Sequence, residues 1–223
     1  MQKLSNTILV IAYIFAAGFL LVYFAAEIVP DFFLSTSGRL FLLCTGCGFL
    51  WLGGFFLTKQ SGNNRPMKIN IRIFLVLYFM LFAELTLFDP LWGRNGGFVI
   101  WNRELFDAYV QNGLNLIPFK TIVQYFSRGT LNQFVVNIVG NIVCLMPLGI
   151  LLPLNFEKQR KTGVFLLTCA SIVSAVEILQ FATLSGSCDI DDLMLNVSGA
   201  FLLYLFTKND EAFGFLKQIF LLE

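Results

Sequence analysis

Residues 8–26 read ILVIAYIFAAGFLLVYFAA, an apolar run without a single charged side chain. At about 1.5 Å of rise per residue, such a run crosses the roughly 30 Å hydrocarbon core of a bilayer as one helix. Only Lys3 precedes it as a cation, and it is longer than the core of a cleaved signal peptide, so a retained anchor is expected. Five further runs of similar character follow, roughly 40–58, 71–88, 133–152, 163–184 and 193–207. The last is short, and the acidic cluster before it offers an earlier start. The fold class predicted is therefore an all-α integral membrane protein with six transmembrane helices.

Composition agrees. Of 223 residues, 57% are hydrophobic and only 13% charged, with a mean hydropathy of +0.76. A soluble domain carries about twice that share of charge. The formal net charge of +1 matters less than where the charges fall. Lys3, Lys59, Arg65, Lys68, Arg72, Lys158, Arg160, Lys161, Lys208 and Lys217 fall on one side of the expected spans, 10 of the 15 basic residues. Arg39, Arg94, Arg103, Lys120 and Arg128 fall on the other, with most of the acids. Basic residues concentrate on the cytoplasmic side, so both termini are expected in the cytoplasm and the acid-rich face outside. No basic patch stands clear of the membrane flanks, which argues against nucleic acid as a partner.

The long connection over 89–132 is rich in aromatic residues. Phe98, Trp101, Leu105 and Tyr109 recur at helical spacing, with charged residues on other faces. That pattern predicts an amphipathic helix lying in the interface between spans three and four. After Pro118, a second short helix is expected over 121–126, stopping near Gly129. This segment reads equally as an aromatic anchor and as a lid over a site. No internal repeat of the kind found in many transporters is evident.

The chain has no histidine. That excludes Ser-His and Cys-His catalysis and His-ligated zinc. Cys44 and Cys47 form a C-x-x-C, but cysteines in an apolar run most simply serve as small packing residues. A thiol–disulfide oxidoreductase is accordingly the third-ranked function.

Polar groups inside a bilayer are costly and mark function by default. Asn137 and Asn141 lie one turn apart in span four, and Glu177 and Gln180 are neighbours in span five. Span six opens with Asp189, Asp191 and Asp192, then Asn196 one turn on, Ser198 and Gly199. Counting from the outer ends, Asn141 lies roughly 13 Å down, Glu177 about 10 Å and Asn196 about 6 Å below Asp192. All fall in the outer half of the membrane. Asn137, Gln180 and Ser198 read most simply as groups joining helices. Glu177, Asp189 and Asp192 are the candidate catalytic residues, because a carboxylate is expensive to bury as mere glue. Glu84 of span three is either a further member of the site or a residue reaching for the interface. Oxygen donors of this kind suit a hard cation, but the D-I-D-D spacing is not an EF-hand loop, and acids also cap a helix start. No metal is assigned, and the sequence names no cofactor.

These residues sit in a set of short motifs that resembles the VanZ-like family of bacterial membrane proteins. The matching stretches are Asn115-Leu116-Ile117-Pro118-Phe119, Asn137-Ile138-Val139-Gly140-Asn141 with Met146-Pro147-Leu148-Gly149, Glu177-Ile178-Leu179-Gln180, and Asp189 through Gly199. The resemblance divides the chain into two N-terminal spans outside it (1–70), a VanZ-like membrane domain (71–207) and a C-terminal tail (208–223). Where the family often carries an arginine ahead of D-I-D-D, this chain has Ser185-Gly186-Ser187-Cys188.

The resemblance implies a multi-pass protein of the bacterial cytoplasmic membrane, with glycopeptide tolerance of the teicoplanin type. The site expected is an outer-leaflet one that binds or modifies an envelope amphiphile. Asn115, Pro118, Phe119, Asn137, Asn141, Gln180 and Asn196 are the candidate ligand-binding residues. The expected partner is a membrane lipid, a lipid-linked envelope precursor or a lipoglycopeptide. The alternative is a non-enzymatic scaffold of envelope biogenesis.

Overall fold

A computed structural model describes residues 2–29, 34–87, 103–184 and 186–222. Long helices α1 (Gln2–Ile28), α2 (Thr36–Ser61) and α3 (Arg65–Leu87) come first, then the short α4 (Arg103–Asn112) and α5 (Lys120–Arg128). The next span is assembled from α6 (Leu131–Phe134), a π-helical turn at Val135–Val139, α7 (Gly140–Leu145) and α8 (Leu148–Asn155). A 3-10 turn at Glu157–Arg160 leads into α9 (Thr162–Thr183), α10 (Ile190–Lys208) and α11 (Asp210–Ile219). Among the described residues the only strands are β1 (Leu114–Asn115) and β2 (Cys188–Asp189), which pair in parallel.

Among the described residues, six helical segments are long and apolar enough to cross a membrane: 5–26, 36–61, 65–87, 131–155, 162–183 and 190–208. These are the six expected spans. Their outer surfaces carry Leu21, Phe41, Leu167 and Leu202, with Leu167 70% exposed. Hydrocarbon, not water, is the solvent that such surfaces suit. The chain is an all-α, multi-pass membrane protein.

The sixth span begins at Ile190, three residues before the apolar run. Asp189 is its N-cap, its side chain accepting from the amide of Asp191. Asp191 and Asp192 fill the first turn, where negative charge is favourable. The fourth span departs from a uniform helix for two physical reasons. A Thr130–Gln133 capping box starts it, but the π turn inserts a residue before α7. Pro147, which lacks an N–H, then divides α7 from α8.

Helix α4 covers the later part of the amphipathic stretch. Phe98 and Trp101 lie outside the described residues. Phe106 and Tyr109 both meet the ring of Phe181 in α9, with centroids 5.8 Å away. The second short helix is α5, closed at Gly129, whose amide donates to the carbonyl of Tyr125.

By its contacts the chain forms two compact units, Met1–Leu77 with Glu211–Glu223, and Tyr78–Asp210. In the first, α1 and α2 pack through Phe15 and Phe19 stacked on Phe49, at 5.2 and 5.8 Å. The C-terminal segment returns to this unit, where Asn64 donates to the Leu222 carbonyl at 2.9 Å. In the second, α10 lies very close to α7 and α8. A Cβ at Gly199 would collide with the carbonyl of Ile142, and one at Gly149 would come within 2.7 Å of the Ala200 carbonyl oxygen. Thr207 Oγ1 also donates to the Gly149 carbonyl at 2.7 Å. This close approach brings the polar side chains of α7 and α10 into register.

Candidate functional site

Helix α9 ends at Leu184, a residue in the left-handed region at φ 54. The chain then turns into β2, which pairs Leu114 with Cys188 and Asn115 with Asp189. Cys188 donates its amide to the Gly113 carbonyl at 2.8 Å. Two backbone segments, 113–115 and 188–189, are thereby joined at the end of the bundle where α9 stops and α10 starts.

The carboxylates at this junction are heavily engaged. Asp189 Oδ1 accepts from Asn115 Nδ2 at 2.8 Å and its Oδ2 from Thr121 Oγ1 at 2.6 Å. Its own amide donates to Glu177 Oε2 at 2.9 Å. Asp191 is wholly buried, and its side chain reaches across to the start of α5. There Oδ1 accepts the Phe119 amide at 2.5 Å, and Oδ2 accepts those of Thr121 and Ile122 at 2.7 and 3.1 Å. Phe119 adopts φ 65, unusual for a residue with a Cβ. That turn points the first amides of α5 at one carboxylate, which satisfies donors the helix itself leaves open.

Asp192 is the least enclosed of the three. Its Oδ1 accepts from Asn141 Nδ2 at 2.5 Å. Asn141 also donates to the Asn137 carbonyl at 2.8 Å and accepts from Asn196 Nδ2 at 3.2 Å. Asn196 donates in addition to the Asp192 carbonyl at 2.9 Å. The Asn137 carbonyl lies within the π turn, so a side chain from the next turn serves a widened backbone.

Of the sequence-derived candidates, the fold joins Glu177, Asp189 and Asn115 in one hydrogen-bonded cluster and Asp192, Asn141 and Asn196 in a second, the two adjoining at Asp191–Asp192 of α10. Phe119 joins through its amide, while Pro118 is exposed beside it. Asn137 turns its side chain to its own helix, donating to the Gln133 carbonyl at 2.9 Å. Gln180 stands apart: it is 1% exposed and donates to the Thr86 carbonyl of α3 at 2.6 Å. Glu84 is buried in the same compact unit.

Three participants escaped sequence reasoning. In the sequence Asp191 is one acid of a run, and only its burial distinguishes it. Thr121 supplies both a hydroxyl and an amide, and nothing in a lone threonine announces that. Tyr125 of α5 faces Asp192 and Asp189; burial first, then those two charges, hold its phenol above its ordinary pKa. Burial likewise raises the Cys188 thiol, helped by Glu177 and Asp189.

Among the described residues, no group of three or more His, Cys, Asp or Glu side chains is placed to hold a metal ion. The donor pattern explains this. Asp189 and Asp191 have N–H and O–H groups aimed at both their oxygens, which is how a protein holds carboxylates itself.

Beside the network lies an apolar surface. Leu116, Ile117, Phe119, Val123, Phe126 and Leu131 are each 57–80% exposed. They belong to the very segment whose backbone the carboxylates hold. Comparison with known families places this whole region in one of them: the VanZ/LLP1 family model matches residues 71–213. Neither the curated proteins nor the solved structures gave a match.

Proposed function

The chain belongs to the VanZ-like family, and from that premise we propose that it binds or modifies an amphiphile of the bacterial envelope at the outer leaflet, conferring tolerance of teicoplanin-type glycopeptides. One observation carries this reading: a carboxylate–amide network lies directly behind an exposed apolar segment, 116–131, which it anchors by hydrogen bonds. An amphiphile has a polar head and an apolar tail, and this end of the fold offers partners to both. Asp192, with Asn141 and Tyr125 beside it, faces the head group. Glu177 stands behind as the buried carboxylate that fixes Asp189. Phe119, Val123 and Phe126 meet the tail. The orientation that puts this end outside follows from the basic residues at the other end of the same bundle, Lys158, Arg160, Lys161 and Lys208.

The test is teicoplanin susceptibility of a sensitive host expressing the protein, with membrane levels measured in parallel. Wild type should raise tolerance, and Asp192→Ala and Glu177→Gln should return it to the empty-vector level at normal abundance. Phe126→Ser should reduce it in part. Full tolerance in Asp192→Ala and Glu177→Gln would remove the site.

The second reading, a scaffold without chemistry, rests on a specific observation too. Asp189 and Asp191 commit both oxygens to protein donors, as groups that merely fasten helices do. On that reading the same variants lose tolerance only to the extent that they lose stability.

A further inference from the structure

Within the unit formed by 1–77 and 211–223, a groove of about 440 Å³ opens between α1, α2 and α3. That is the size range of sites that hold small organic ligands. Leu50, Leu57 and Ser61 lie on one stripe of α2, and Ile69 and Ile73 face them from α3. The walls are therefore apolar over two turns. At the base lie Tyr13 and Asn70, the latter only 3% exposed, and Asn70 Nδ2 donates to the Leu50 carbonyl at 2.6 Å.

Two adjacent glycines make this arrangement fit. A Cβ at Gly53 would sit 3.0 Å from the Tyr13 ring, and one at Gly54 would collide with the Asn70 amide. The mouth has a different chemistry. Ser61, Asn63 and Arg65 surround it, all exposed. Lys68 and Arg72 follow Arg65 on the adjoining edge of α3 and are exposed as well. An apolar slot with a polar floor and a cationic mouth is complementary to one class of molecule.

We infer that this groove holds a phospholipid with an anionic head group: the phosphate lies against Arg65 and the Asn63–Arg65 turn, and an acyl chain fills the slot between α2 and α3. Charge complementarity selects the occupant. Basic pockets between transmembrane helices bind anionic head groups, with each Lys or Arg at the surface contributing about a fivefold effect. A second, apolar protein helix is a poorer fit, since it would leave Arg65, Lys68 and Arg72 without a counter-charge. The groove lies outside the matched region 71–213 except for Ile73. This site is thus independent of the one proposed above, and neither depends on the other.

The experiment is native mass spectrometry of the full chain titrated with phosphatidylglycerol, or with phosphatidylcholine bearing the same acyl chains. Wild type should bind one phosphatidylglycerol clearly more tightly than phosphatidylcholine. Arg65→Gln should weaken phosphatidylglycerol binding about fivefold, whereas Lys158→Gln, an equal charge change elsewhere, should leave it unchanged. A groove-filling Ile73→Trp should weaken both lipids alike. Equal affinity for the two lipids in wild type overturns the head-group assignment. Equal losses in Arg65→Gln and Lys158→Gln reduce the effect to diffuse charge, and unaltered binding in Ile73→Trp places the lipid elsewhere; either result overturns the proposal.

Discussion

Helices meet in two different ways in this protein. Between α1 and α2 the contact is made by side chains: stacked phenylalanines, and glycines whose missing Cβ leaves room for the ends of Leu20 and Tyr13. Between α10 and the pair α7–α8 the contact is made by backbone: Gly199 against the Ile142 carbonyl, Gly149 against Ala200 and Tyr204. The first kind of contact tolerates rearrangement, because side chains change rotamer. The second does not. It is also the second that sets Asn141, Asp192 and Asn196 within hydrogen-bond reach. Small residues thus serve packing in one place and position a polar network in the other.

The strongest way to break this contrast is to remove the carboxylate that ties the α10 end to α5. Asp191→Ala leaves three partly buried amides without this acceptor, at about 1 kcal/mol or more apiece. A loss on the order of 3 kcal/mol or more is expected. The 116–131 segment should then become sensitive to protease in detergent, while cleavage sites near 61–65 stay unchanged. Protease patterns identical to wild type would show that Asp191 does not fasten the segment.

A glycine pair sharpens it. Gly199→Ala drives a methyl into a carbonyl that cannot rotate away, and should cost about 1–3 kcal/mol despite the better helix propensity of alanine. At Gly46 the same change meets Leu20 side-chain atoms at 3.0 Å, which can yield, so Gly46→Ala should be close to neutral. Thermal unfolding in one detergent measures both. Equal costs would erase the distinction between the two contacts.

The smallest effect reports on charge inside the network. Cys188 is partly exposed, and its thiol pKa is raised by burial and then by Glu177 and Asp189. Alkylation needs the thiolate. With the other four cysteines replaced, an impermeant maleimide applied to whole cells should therefore label Cys188 slowly near neutral pH and faster as pH rises. Glu177→Gln removes a negative charge, lowers the thiol pKa and should speed labelling a few-fold at fixed pH. No labelling from outside would invert the proposed orientation. An unchanged rate in Glu177→Gln would mean that Glu177 is protonated.

Much of this was legible beforehand. The apolar runs gave all six spans, with ends at most six residues away, the largest difference being the start of the third at Arg65. The sixth starts at Ile190, within the acidic cluster that offers the earlier start, because Asp189 caps it there. The π turn and the division at Pro147 were invisible as geometry, since Val135–Val139 has no composition that separates a π turn from an α turn. Asp192 meets Asn141 and Asn196, but Gln180 bonds to α3 while Glu177, its neighbour by helical spacing, bonds to β2.

What the sequence determined by itself is what solvent transfer and helical period govern: an all-helical membrane protein and its spans. Those follow from each residue and its near neighbours alone. Which carboxylates have both oxygens committed to protein donors, and which stays nearer the surface, was decided only in three dimensions. Asp189, Asp191 and Asp192 are chemically alike and adjacent, so nothing local distinguishes them. Their fates depend on the left-handed turn at Phe119, which aims the amides of α5 at Asp191, and on the backbone approach at Gly199, which delivers Asn141 to Asp192.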